Sequence, residues 1–221
     1  MANQDQWLKF REKALQLGFD AIGVTSPNDS SYSGRFQEWL ELGYEGEMGY
    51  MRRNSEKRID MEKVLPGVRS VVCFRSNYFP RRKSLDYLIN KEEGDISLYA
   101  LSEDYHDVIL PRLKELEIFI QQEFPGVQSK VYVDTGPVLE KPLAQKAGLG
   151  WVGKHTNLVT EGIGSWYFLS EILLDIELPI SEEAVDRCGT CRDCIDICPT
   201  QAIVAPYVLD SRKCISYLNI E

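Results

Sequence analysis

Residues 188–221 constrain this chain more than any other stretch. Cys188-Gly-Thr-Cys191-Arg-Asp-Cys194-Ile-Asp-Ile-Cys198-Pro199 is spaced C-x2-C-x2-C-x3-C-P, the bacterial 4Fe-4S run, without a mismatch. Short turns aim Cys188, Cys191 and Cys194 at one iron–sulfur cube, and the proline redirects the chain after the fourth cysteine. In two-cluster proteins that fourth cysteine serves the other cube. A structural zinc site asks for two pairs of ligands rather than this ladder. Cys198 with Cys214 supplies two ligands of a second cube. Two cubes take eight thiolates and five stand here, so the ligand set is expected to be incomplete and three further cysteines to lie beyond residue 221. Tyr217-Leu-Asn-Ile-Glu221 carries no terminating signal, and the chain is expected to be truncated at its C-terminus.

The crowding of these cysteines excludes a secreted disulfide framework, which spreads its bridges through a short exported chain. Cys73 stands apart in an apolar segment and reads as a small buried hydrophobe. No run of about 18 apolar residues is present, and MANQDQWLKF lacks the basic and apolar halves of a signal peptide. A cytoplasmic protein with no membrane partner is expected, and the oligomeric state is expected to be a monomer. The net charge of −9 speaks against non-specific nucleic-acid binding, which needs clustered cations. Two short basic patches, Arg52–Arg53 with Lys57–Arg58 and Arg81–Arg82–Lys83, read as solvated faces.

Periodicity predicts helices over Gln4–Leu17, Gly34–Leu42, Ile59–Leu65, Tyr105–Gln122 and Val138–Ala147. Strands are expected at Phe19–Thr25, Val68–Tyr78 and Lys130–Val133, with Trp151–Val159 and Ser165–Leu174 as a pair. Gly43–Tyr50 is too glycine-rich for regular structure, and Pro80–Asp95 reads as an exposed excursion. Helices interrupted by strands, with a hairpin near the end, imply an α+β sandwich followed by a cysteine-rich module. Neither GxGxxG after the first strand nor GxxxxGK[ST] occurs, which excludes the common dinucleotide and P-loop sites.

Outside the cysteines the chemistry is thinner. Asp134 ends a strand in Val131-Tyr-Val-Asp134-Thr-Gly-Pro137. Such an acid is placed to donate a proton, with apolar neighbours raising its proton affinity by desolvation. The plainer reading is that it, or Thr135, caps the helix near Val138. His106 opens the long helix after Asp104, its expected N-cap, and His155 lies in a glycine-rich turn; neither has the partners of an all-protein metal site. Gly148-Leu-Gly150-Trp-Val-Gly153-Lys154 reads as backbone packed against a large cofactor.

Taken in order, Asp104-Tyr105-His106, Val133-Asp134-Thr-Gly-Pro-Val-Leu-Glu140, Ala147-Gly-Leu-Gly-Trp-Val-Gly-Lys154-His155-Thr156, Gly164-Ser165-Trp166, the cysteine run with Pro199-Thr-Gln-Ala-Ile203, and Arg212-Lys-Cys214 resemble the epoxyqueuosine reductases along essentially the whole chain. The resemblance implies a nitroreductase-like, cobalamin-binding catalytic domain over residues 1–180. The first part of a ferredoxin-like domain over 181–221 would follow, with two 4Fe-4S clusters in the full-length protein. It implies reduction of epoxyqueuosine to queuosine at the wobble position of tRNA, fed by an unidentified electron donor, with Asp134 as proton donor. It places Arg58, Ser97, Tyr105, His106, Asp134, Lys154, His155, Asn157 and Leu158 around the corrin, and Cys188, Cys191, Cys194, Cys198 and Cys214 on iron. One departure concerns Leu98-Tyr-Ala-Leu-Ser-Glu103, where relatives carry a basic stretch; a tRNA contact there loses its charge. Two competing readings are weaker. A reductive dehalogenase relative would carry an export signal, and a simple electron carrier would leave the upstream α+β domain without a role.

Overall fold

The structure, a computed structural model, describes residues 4–27, 30–79 and 96–220. Its first helix, α1 (Gln4–Gln16), buries Phe10 and Ala14 and stops at Gly18, whose positive φ of 92° turns the chain into β1 (Ala21–Thr25). Helix α2 (Ser30–Glu41) is followed by two short helices, α3 (Gly49–Arg53) and α4 (Ser55–Ile59). A 3-10 turn at Met61–Lys63 then leads into β2 (Ser70–Asn77). After a second 3-10 turn at Leu98–Leu101 comes α5 (Tyr105–Glu123), capped by Asp104, whose side chain accepts the His106 N–H at 2.9 Å.

Strand β3 (Ser129–Tyr132), helix α6 (Glu140–Lys146), the two-residue strands β4 (Trp151–Val152) and β5 (Leu158–Val159), and β6 (Tyr167–Leu174) complete the larger unit. The cysteine module contains α7 (Asp193–Asp196), β7 (Ile203–Ala205), β8 (Val208–Leu209) and α8 (Ile215–Ile220).

Four strands form an antiparallel sheet in the order β1-β2-β6-β3. Strand β2 is central, and residues 70–75 are buried on both faces, which is why its middle, Val71 to Phe74, reads as an unbroken apolar run. Alternation divides the core. Val72 and Phe74 of β2 and Ile172 and Leu174 of β6 meet Ile109, Leu113, Leu116 and Ile120 of α5 together with Phe10 of α1. On the other face, Val71, Cys73 and Leu173 meet Leu143 and Ala144 of α6 with Met61, Val64 and Leu65. Each fully buried side chain of this size contributes about 1.5–3 kcal/mol by leaving water. Cys73 is completely buried among them, as expected of a small hydrophobe.

The cysteine module is tied to this sandwich by named bonds. Trp39 donates its indole N–H to the Leu209 carbonyl at 2.7 Å, and the Tyr207 N–H reaches the Lys154 carbonyl at 2.9 Å. The Lys154 ammonium holds the carbonyls of Gly189 and Cys191 at 2.6 and 2.8 Å.

Several expectations are revised. Trp151–Val159 does not pair with Ser165–Leu174. It folds on itself as β4–β5, because both edges of β6 are already taken by β2 and β3. The helix expected over Ile59–Leu65 is only a 3-10 turn, preceded by α4. Gly43–Tyr50 is a series of turns until α3 begins at Gly49. The excursion at Pro80–Asp95 and the patch Arg81–Lys83 lie outside the described residues. The other basic patch is not simply solvated: Arg52 pairs with the buried Glu45, and Arg58 is half-buried.

Candidate active site

Strand β3 delivers Asp134 to the rim of a cavity of about 380 Å³ walled by Tyr78, Tyr99, Tyr105, Tyr167 and Phe168 and floored by Lys141 and Asn157. Tyr105 stacks on Phe168 with ring centroids 4.2 Å apart and planes 11° from parallel, and its hydroxyl donates to Asp134 Oδ2 at 2.5 Å. Burial, and then the bond to the Asp134 carboxylate, push the Tyr105 phenol far above its usual range, so it remains a donor. The His106 ring lies against Tyr105 at 4.1 Å. Its Nδ1 meets Asp104 Oδ1 at 2.8 Å, and its Nε2 lies 4.0 Å from Asp134 Oδ2. That buried Nε2 has no hydrogen-bond partner among the described residues. The His106 backbone and side chain hold the Asp104 carboxyl below its ordinary range.

Asp134 caps no helix. The residue preceding α6 is Leu139, which makes no side-chain cap, so the capping alternative falls away and the carboxyl is free to face the cavity. The apolar enclosure expected around it is also not observed: its side chain is 62% exposed. Like Thr156, Gln201 and Tyr207, Asp134 has its backbone in the left-handed region that disfavours residues with a Cβ, with φ at 62°. Three contacts hold that turn. Glu140 Oε1 accepts the Asp134 N–H at 2.8 Å, and the Arg58 guanidinium reaches the carbonyls of Gly136 and Val138 at 3.4 and 3.2 Å. Gly136 must be glycine, because a Cβ there would come within 2.4 Å of the Tyr132 ring.

Behind the loop, Glu140 faces Glu171, which is completely buried on β6. Neither oxygen of Glu171 finds a hydrogen-bond partner among the described residues, so burial favours its neutral, protonated form. Burial, and then the charge of Asp134, push Glu140 up to about 7. Burial followed by Glu140 drives Glu171 well above the carboxylate range.

The other expected residues are distributed unevenly. Tyr105, Asp134, Asn157 and Leu158 line the cavity, and His106 stands beside Asp134. Asn157 Oδ1 accepts from Lys141 Nζ at 2.8 Å. His155 accepts the Asn157 N–H on Nδ1 at 3.0 Å, which puts its own proton on Nε2. Burial and then Lys141 lower its proton affinity. Ser97 is exposed and starts the 3-10 turn that brings Tyr99 to the wall. Arg58 grips the Asp134 loop, and Lys154 grips the cysteine loop. The missing Cβ atoms of Gly148 and Gly150 make room for the chain's own carbonyls, Glu182 at 2.6 Å and Val159 at 2.3 Å. Sequence reading gave no role to Lys141 or Glu171 and quoted Glu140 only within a motif. The one available signal was a glutamate inside the apolar run of β6.

Among the cysteines, the Cys191 N–H bonds the Cys188 carbonyl at 2.9 Å, the tight turn the spacing demands. Cys194 is pushed up by burial and then by the charge of Cys188. The Ala202 N–H approaches the Cys198 sulfur at 3.3 Å and favours its thiolate. Burial lowers the proton affinity of Lys141, opposed first by the charge of Glu140. All five thiols are free, and among the described residues no three His, Cys, Asp or Glu side chains converge as a single-ion site would require.

Comparison with known proteins agrees with this layout. The family described as epoxyqueuosine reductase QueG, DUF1730, matches residues 58–135, and the 4Fe-4S double cluster binding domain matches 187–221. An epoxyqueuosine reductase of Escherichia coli (strain K12) is 43% identical over 96% of this chain, which spans only 56% of that protein. Its counterpart from Synechocystis is 44% identical over 93% of this chain and 68% of its own length. A crystal structure of epoxyqueuosine reductase with a tRNA-Tyr epoxyqueuosine-modified stem loop superposes with a TM-score of 0.84 at 29% identity, covering 97% of this chain and 57% of that one. With its sequence motifs, its fold and two thirds of a relative's length in common, the chain belongs to the epoxyqueuosine reductase family.

Proposed function

We propose that this chain is the catalytic portion of an enzyme that reduces epoxyqueuosine to queuosine at the wobble position of tRNA. Asp134 is the proton donor, and electrons arrive through 4Fe-4S clusters from a donor protein or reductant. The observation that carries the reading is the placement of Asp134: an accessible carboxyl, bonded to Tyr105 and neighboured by His106, at the rim of an aromatic cavity. Removing the epoxide oxygen takes two electrons and two protons and releases water. One proton passes from Asp134 Oδ2 to the departing oxygen, which would otherwise leave as a costly alkoxide. The second comes from solvent through the open rim.

The residues present fit a large, flat cofactor such as cobalamin. The aromatic walls offer faces for stacking, and the orphaned Nε2 of His106 and Nε of Arg58 are unspent polar atoms. Lys141 also borders a second cavity of about 260 Å³ lined by Tyr32, Phe36, Trp39 and Val152, which extends the available room. Tyr105, His106, Asn157 and Leu158 would contact the group, and Arg58, Ser97, Lys154 and His155 would frame it. Bound cobalamin would supply the electron pair that opens the strained ring. Cys188, Cys191 and Cys194 would serve one cluster, and Cys198 and Cys214 the other.

In this reading residues 1–180 form a nitroreductase-like catalytic domain and 181–221 the start of a ferredoxin-like one. The protein acts in the cytoplasm on tRNA. Mass spectrometry of tRNA nucleosides tests the proposal. A strain lacking the gene should accumulate a queuosine species one oxygen heavier, cleared when the full-length gene returns. Persistence of that species after the gene is restored would refute the substrate assignment.

A further inference from the structure

We propose that Glu140 and Glu171 are a positioning pair for Asp134: Glu171 anchors Glu140 through a shared proton, and Glu140 holds the backbone N–H that keeps the acid at the cavity rim. This deepens the reading above and rests on Asp134 acting as the proton donor. Three observations carry it. First, Glu171 sits mid-strand where Leu169 and Leu173 flank it on the same face, and it pairs with Cys73 on one side and Tyr132 on the other. Packing alone asks for an apolar residue there, since an unsatisfied buried carboxyl is costly. Second, its buried oxygens have no hydrogen-bond partner among the described residues, and Glu140 is the group that, after burial, raises its proton affinity most. Third, Glu140 Oε1 is bonded to the Asp134 loop. It accepts the N–H of Asp134, one of the non-glycine residues that the described chain holds in the left-handed region.

The groups facing the pair are Arg58 from α4, Cys73 from β2, Tyr105 from α5, Asp134 from the loop after β3 and Lys141 from α6. Lys141 favours negative charge on Glu140 rather than on Glu171. As pH rises through neutrality the pair therefore passes from two protons to one, and the charge appears on Glu140. A carboxylate accepts an N–H more strongly than a neutral acid does. The grip on Asp134 tightens with rising pH, while Asp134 itself must carry a proton to act. The two demands oppose each other.

Site-resolved hydrogen exchange of the Asp134 amide in the full-length protein tests this. After correction for intrinsic exchange, protection is expected to rise about threefold to tenfold between about pH 6 and about pH 8. Glu140→Ala should lose the protection. Glu171→Gln, which keeps the volume and a hydrogen bond to Glu140, should keep protection but lose its change around neutrality. In turnover assays Glu140→Ala should lower kcat about tenfold with KM within about twofold. Equal wild-type protection at both pH values, or an unchanged pH response in Glu171→Gln, would overturn the pair. Turnover by Asp134→Asn would instead sink the acid assignment, whatever the exchange data show.

Discussion

Asp134 combines an exposed carboxyl with a backbone conformation that few residues other than glycine adopt. The surrounding residues make sense as restraints on that single position: Glu140 on its N–H, Arg58 on the carbonyls that follow, and the bare face of Gly136 against Tyr132. Gly136→Ala is accordingly expected to cost about 1–3 kcal/mol of stability, or to push the loop outward. Urea denaturation beside a turnover assay would separate these results. Unchanged stability and activity would mean that the ring of Tyr132 yields freely.

The sequence located Asp134 at the end of a strand but left its role divided between cap and acid. A cap is defined by where the next helix starts, and α6 starts at Glu140, which local pattern fixes only to within a few residues. Glu171 was harder to see. A single glutamate in an apolar run looks the same whether it points to solvent or into the opposite face, and only the pairing of β6 decides that.

Strand β6 is the element on which the site depends. It runs between β2 and β3, aligns Glu171 beneath Glu140, and presents Tyr167 and Phe168 to the cavity. The strands that carry the core were legible from their β-branched content. The partner of β6 was not, because a hairpin with Trp151–Val159 satisfies the same local pattern and the competition is decided by sequence-distant strands.

The acid pair also makes stability depend on pH in a stated direction. An unfolded glutamate titrates near about 4.3, whereas Glu140 in the fold is held up to about 7. Between these values the folded state binds more protons than the unfolded one, so the pair's contribution falls as pH rises from about 4 to about 7. Glu171 carries that decline above neutrality. Thermal unfolding across this range should show a shallower decline in Glu171→Gln than in the wild type. Parallel curves would contradict a proton held between the carboxyls.

At the scale of the whole molecule, the chain couples an aromatic cavity to a cysteine module through Lys154, Trp39 and Tyr207. The Tyr207 phenol is held up to about 12, first by its bond to Asp186, which also accepts the Cys188 N–H at 2.7 Å. The module's cysteine spacing was the most legible feature of the sequence, because ligand geometry dictates turn length directly. How the module docks was not legible, since it rests on single side chains reaching carbonyls far away in sequence. In the full-length protein, Cys191→Ala is expected to reduce iron content and bleach the cluster absorbance. Unchanged iron would remove Cys191 from the ligand set.

The central claim, that Asp134 delivers the proton in epoxide reduction, is tested most directly by turnover of an epoxyqueuosine-containing tRNA stem loop. The full-length protein would be loaded with its cofactors and supplied with a chemical reductant, with nucleosides read by mass spectrometry. The wild type is expected to convert the substrate to queuosine, and Asp134→Asn to be slower by a factor of about 100 or more while still binding the stem loop. Conversion by Asp134→Asn at the wild-type rate would contradict the account.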